Sequence, residues 1–149
     1  MSSSHLSLRQ SDRLIFLGIS LFFLGLLVGL ILPLLANPRM GLSSHLEGIM
    51  NGLFLVVLGL IWSRINLSKK WMTVAFWLAI YGTFANWLGI LLAALWDAGE
   101  NLTVAAGGNR GSDAAEIIVN FFLITLTFAM LSLCLMVLFG LWRGRHRSF

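Results

Sequence analysis

The chain has 149 residues, 58% of them hydrophobic and only 11% charged, with a mean hydropathy of +0.90. A soluble domain carries about 25% charged residues, so that class is excluded, and a single cysteine excludes a disulfide framework or a zinc knuckle. The net charge of +4 is spread over too few groups to indicate nucleic acid, and the basic residues fall at membrane boundaries instead.

Four stretches are long enough to cross a hydrocarbon core of about 30 Å, which takes roughly 20 helical residues. The first covers 14–36 and the second 42–63, with Glu47 near its beginning. The third covers 71–96 and the fourth 115–142, both long enough to tilt. No alternating strand pattern suggests a β-barrel. The first stretch is too long for a cleaved leader and lacks a small-residue cleavage site. The expected fold is therefore an all-α integral membrane four-helix bundle in a single domain spanning 1–149.

The helix ends have local causes. Ser11-Asp12 is a candidate cap for the first helix. Pro33 is expected to bend that helix and Asn37-Pro38 to stop it. Ser43 or Ser44 is expected to cap the second. The Gly-, Ala- and Asn-rich segment 97–113 reads as a loop, and its Asn101-Leu102-Thr103 triplet as chance. The pairs Gly25/Gly29 and Gly48/Gly52 mark close helix packing, within the bundle or between protomers.

Orientation follows from the loops. Arg9, Arg13, Arg64, Lys69, Lys70, Arg143, Arg145 and Arg147 lie on one side, against Arg39 and Arg110 on the other. The positive-inside rule makes both termini cytoplasmic, and Trp62, Trp71, Trp96 and Trp142 mark the interfaces. The expected location is a bacterial inner membrane.

Polar groups within the spans are costly and usually functional. His45, Gly48 and Gly52 share one face of the second helix, where two glycines leave a trough wide enough for a flat ligand. Glu47 and Asn51 occupy a neighbouring stripe, so that Asn51 can hydrogen-bond a ligand or the carboxylate. His45 is either an interfacial histidine bonded to a loop carbonyl or a single axial ligand to haem iron. His5 and His146 lie in the tails, which disfavours a bis-histidine haem within one chain. In the third helix Gly82, Asn86, Gly89 and Ala93 form a narrow face. Asn86 serves there either in an interhelical hydrogen bond, worth about 1 kcal/mol, or in orienting a substrate. Glu116 and Asn120 share a face of the fourth helix, with Glu116 expected to be solvated by the adjacent loop. Cys134 and the methionines read as packing. No Ser-His-Asp order, phosphate loop or metalloprotease motif is present. A lone membrane glutamate also suits a small proton-coupled transporter, although Glu47 lies nearer a helix end than the midplane where transport sites sit. A haem-binding subunit without turnover is a third reading.

The run Asn37-Pro38-Arg39-Met40-Gly41-Leu42-Ser43-Ser44-His45-Leu46-Glu47-Gly48, followed by Met50-Asn51-Gly52 and Tyr81-Gly82-Thr83-Phe84-Ala85-Asn86-Trp87, resembles hydroxylaminobenzene mutases. It is more distantly similar to styrene oxide isomerases. The resemblance covers nearly the whole chain. It implies a four-helix protomer, a homotrimer, and ferric haem b held at protomer interfaces through one histidine and used as a Lewis acid. His45 matches that histidine, Asn51-Gly52 the Asn-Gly six residues later, and Phe84-Ala85-Asn86 the aromatic-Ala-Asn of helix three. Ile90 stands where styrene oxide isomerases have a tyrosine that helps hold the epoxide, which favours the mutase branch. The expected site comprises His45 as metal ligand, Gly48 and Gly52 against the cofactor, and Asn51, Asn86 and Glu47 about a small aromatic substrate. The expected reaction converts hydroxylaminobenzene to 2-aminophenol, with epoxide isomerisation as the alternative.

Overall fold

A computed structural model describes residues 2–145, with side chains from Ser7 onward. The side chain of His5, together with His146 and Arg147, lies outside the described residues. Helices account for nearly everything: α1 (Ser2–Leu30), α2 (Pro38–Ile61), α3 (Lys69–Trp96), the short α4 (Thr103–Ala106) and α5 (Asp113–Arg145). Of these, α1, α2, α3 and α5 are long and apolar enough to span a membrane, and no strand occurs among the described residues. The chain is a multi-pass membrane protein by length and composition.

Several helix ends differ from the sequence expectation. Pro33 ends the first helix rather than bending it, because it lacks an N–H and crowds the carbonyl four residues back. The helix stops at Leu30, and Leu32–Leu34 form a 3-10 turn. Pro38 begins α2 instead of merely stopping α1: a proline suits the first helical position, where its missing N–H costs nothing. Asn37 is the cap, its side-chain oxygen accepting from Met40 N at 3.1 Å. Ser43 and Ser44 therefore lie inside the helix, and Ser11-Asp12 lie inside α1. Ser11 instead donates to Gly59 O at 2.7 Å, tying α1 to α2.

The α1–α2 pair is zipped by small residues. A Cβ on Gly52 would lie 2.6 Å from Phe22 N and 2.7 Å from Gly18 O, and one on Gly48 would lie 2.5 Å from the Gly25 Cα. Hence Gly25, Gly48 and Gly52 serve packing within the chain, where backbones meet without intervening side chains. Replacing Gly48 by alanine forces the helices apart and is expected to cost about 1–3 kcal/mol. This should appear as a lower unfolding midpoint in detergent, whereas Leu131→Ala on the exposed face of α5 should leave the midpoint unchanged. Equal midpoints for both variants would contradict this packing.

On the other side α2 packs on α3, and α3 on α5, where Gly82 admits Met130 and Gly89 admits Phe122. Among the other spans α5 packs mainly on α3, so the four spans form an open arrangement rather than a closed bundle. Its outer face, including Phe121, Phe128, Leu131 and Leu135, is exposed. Trp71, Trp96 and Trp142 are exposed at the span ends, as expected of interfacial residues. Trp62 is not one of them: it is fully buried, and its indole N–H donates to Gln10 Oε1 at 3.2 Å.

The segment 97–113 is an ordered cap. Asn37 Nδ2 donates to Asp97 Oδ1 at 2.8 Å and to Ala106 O at 3.0 Å. Glu116 is solvated by the adjacent loop, as expected, though it is buried from water: its carboxylate accepts from the backbone N–H groups of Glu100 and Gly111. Those N–H groups would otherwise be orphaned. Asn120 accepts from Asn101 Nδ2 at 2.9 Å. Two apolar clusters result, one around Leu14, Leu55, Trp62 and Phe76 and the other around Val28, Met40, Ala93 and Val119. Trp87 packs against both.

Candidate functional site

The polar residues of α2 and α3 lie about the level of Trp87. Glu47 Oε2 accepts from Asn51 Nδ2 at 2.9 Å and from Asn86 Nδ2 at 2.6 Å. The first bond is the i,i+4 contact that helix geometry provides, and the second crosses from α3. Both expected carboxamides thus converge on a single carboxylate oxygen. The other oxygen, Oε1, takes no hydrogen bond from the described residues. Asn51 is buried, while Glu47 and Asn86 are partly exposed along the α2–α3 seam.

His45 occupies the other flank of the same helix. Its Nδ1–H donates to Gly25 O at 2.8 Å. The imidazole fills the space that a side chain at position 29 would need, since a Cβ on Gly29 would lie 2.7 Å from Nδ1. The glycine pair of α1 therefore has two tasks: Gly25 anchors the ring and Gly29 makes room for it. The carbonyl partner belongs to a membrane helix rather than to a loop, and the i,i+4 spacing of Gly25 and Gly29 was its only trace in the sequence. Nε2 makes no hydrogen bond with the described residues.

His45 and Glu47 are two residues apart, hence rotated by about 160° around α2. One faces α1 and the other α3, with the exposed Leu46, Met50 and Leu53 between them. No hydrogen bond joins the imidazole to the carboxylate group. The trough beside His45 is filled inside the chain, because Gly48 and Gly52 lie against the α1 backbone. Trp87 was not singled out by the sequence, yet its buried indole N–H has no acceptor among the described residues. Its backbone carbonyl accepts from Ser44 Oγ at 3.4 Å. Ile90 is buried one turn beyond Asn86 among apolar neighbours. Among the described residues, no three His, Cys, Asp or Glu side chains converge to hold a metal ion.

A sequence profile described as styrene oxide isomerase matches residues 10–142. The chain belongs to the styrene oxide isomerase family. Within reach of this family lie two curated relatives from Ectopseudomonas oleovorans. Hydroxylaminobenzene mutase HabB is 52% identical over 130 residues, which cover 87% of this chain and 79% of the relative. Hydroxylaminobenzene mutase HabA is 46% identical over 127 residues, covering 85% of this chain and 94% of the relative. No solved structure matches the chain significantly. Membership in this family supports an isomerase or mutase activity and gives no support to the transporter reading.

Proposed function

We propose that the protein is a haem b-dependent membrane isomerase that converts hydroxylaminobenzene to 2-aminophenol, working as a homotrimer in a bacterial inner membrane. The observation that carries the cofactor assignment is the anchored imidazole of His45. A metal-binding histidine usually donates its second ring N–H to a carbonyl or carboxylate, which fixes the tautomer, and Gly25 O is in that role. A lone imidazole without converging carboxylates or thiolates suits a metal that brings its remaining ligands with it, as haem does. His45 would hold the group, and its ferric iron would supply Lewis-acid polarisation of the hydroxylamine N–O bond.

The remaining chemistry falls to Glu47, Asn51 and Asn86. The rearrangement moves oxygen from nitrogen to the ring, so an ortho carbon must lose a proton while nitrogen gains one. Glu47 suits this exchange, with Oε2 held by two amides and Oε1 available to take the ring proton and return it to nitrogen. The two amides fix the carboxylate before substrate arrives, which avoids reorganisation during reaction. The amide oxygens of Asn51 and Asn86 can accept from substrate N–H or O–H. Because His45 and Glu47 sit on opposite flanks of α2, we place the pocket between protomers, with the imidazole of one facing the carboxylate group of its neighbour.

Ile90 and the two mutase-named relatives favour the hydroxylamine substrate over an epoxide. The purified protein, incubated separately with hydroxylaminobenzene and styrene oxide, should yield aminophenol rapidly from the first. Phenylacetaldehyde from the second, with no aminophenol, would overturn the assignment.

A further inference from the structure

At the end of the molecule that carries the termini, the turn between α2 and α3 crosses the last turns of α5. Asn66 N donates to Gly140 O at 3.1 Å. A Cβ on Gly140 would lie 2.5 Å from the Ile65 Cγ2, and one on Gly144 would lie 3.1 Å from Arg64 O. The two glycines let the turn lie directly on the helix. Beside this crossing opens a cavity of about 660 Å³ lined by Ser63, Arg64, Ile65, Asn66, Gly144 and Arg145, among others.

Among the described residues, no ion pair compensates the charge here. Both salt bridges among the described residues lie at the opposite end, around Arg110. Neither the Arg64 nor the Arg145 guanidinium has a hydrogen bond or ion pair with any described residue. Arg9, Arg13, Lys69, Lys70 and Arg143 share this end, with Asp12 as its only acidic residue among those described. Two arginines without side-chain partners among the described residues, flanking one cavity, repel each other and invite an anion. Guanidinium groups bind phosphate oxygens in a paired geometry. The exposed Trp71 and Trp142 set the depth of this end at the headgroup layer.

We propose that this socket binds the phosphate of an anionic glycerophospholipid, with Arg64 and Arg145 as its charge partners. Basic pockets between membrane helices commonly take such headgroups. The apolar part of the wall, from Ile65 and Leu141, matches the glycerol and acyl portion of a lipid and offers nothing to free phosphate.

Native mass spectrometry of the full-length protein in detergent tests this with phosphatidylglycerol, phosphatidylcholine and inorganic phosphate supplied in turn. Phosphatidylglycerol should remain bound, phosphatidylcholine should bind roughly thirtyfold more weakly, and Arg64→Gln/Arg145→Gln should weaken phosphatidylglycerol by a similar factor. Arg9→Gln/Arg13→Gln removes the same charge at the same end but outside the socket, and should leave the adduct unchanged. Arg145→Gln alone, at the exposed last residue of α5, should lose about fivefold and covers the case in which the double variant does not fold. Equal loss in the Arg9/Arg13 variant would overturn the proposal, as would equal retention of phosphatidylcholine. Displacement of the lipid by millimolar inorganic phosphate would show a free-phosphate site instead and overturn it too.

Discussion

Replacing His45 by alanine should give a protein of unchanged oligomeric size that has lost its Soret absorption and its turnover. The substitution removes one hydrogen bond, to Gly25 O, and such a bond contributes about 0.5–1.5 kcal/mol net. The glycine zipper of α1 and α2 remains, so folding should survive. The variant gains a hollow above Gly29, where the ring had been. Added imidazole should enter that hollow and restore part of the Soret band, which a merely structural histidine would not permit. An unchanged spectrum in the variant would eliminate His45 as the ligand, and so would a wild-type protein that never takes up haem.

The spans were legible because a membrane helix needs little more than an uninterrupted apolar run. Their ends were less so. Asn37-Pro38 reads as a stop when approached from α1 and as a cap with a first-turn proline when approached from α2; the sequence contains both signals and only the fold assigns them. Trp62 and Trp71 look alike as aromatic residues near span ends. The difference is Gln10, fifty-two positions away, which supplies an acceptor for the Trp62 indole and allows it to be buried. Glu116 follows the same logic: its burial depends on two loop N–H groups, from Glu100 and Gly111, that no local pattern pairs with it.

Within the site, the i,i+4 pairing of Glu47 with Asn51 was readable from spacing, and its third member, Asn86, only as a polar residue on an apolar helix. The sequence placed His45 beside Gly48 and Gly52 correctly on the helical wheel. It gave no means of knowing whether a ligand or another helix fills the space over the two glycines. The answer is α1, whose own glycines allow contact at backbone distance. This leaves the imidazole at the edge of the α1–α2 seam and separates it from Glu47 by the width of a helix. On the proposed function, a site that uses both groups draws them from different chains.

That consequence gives the most demanding test. Asn51→Ala removes one of the two amides that hold Glu47 Oε2. It should keep the haem spectrum while lowering turnover of hydroxylaminobenzene on the order of 10²-fold, as expected when a reacting group loses its orientation. His45→Ala should be inactive for the separate reason given above. Co-expressed in equal amounts, the two inactive chains should recover activity together. Where an Asn51→Ala chain presents its intact His45 to a His45→Ala neighbour, that neighbour still supplies Glu47, Asn51 and Asn86, and the shared site is wild type. Random mixing in a ring makes roughly one site in four of this kind, so the mixture should show about a quarter of wild-type turnover with about half the haem. Distinguishable tags on the two chains would establish that both occupy the same oligomer. If His45 and the Glu47 group instead act within one chain, every site in the mixture lacks one of them, and turnover stays at the level of the single variants.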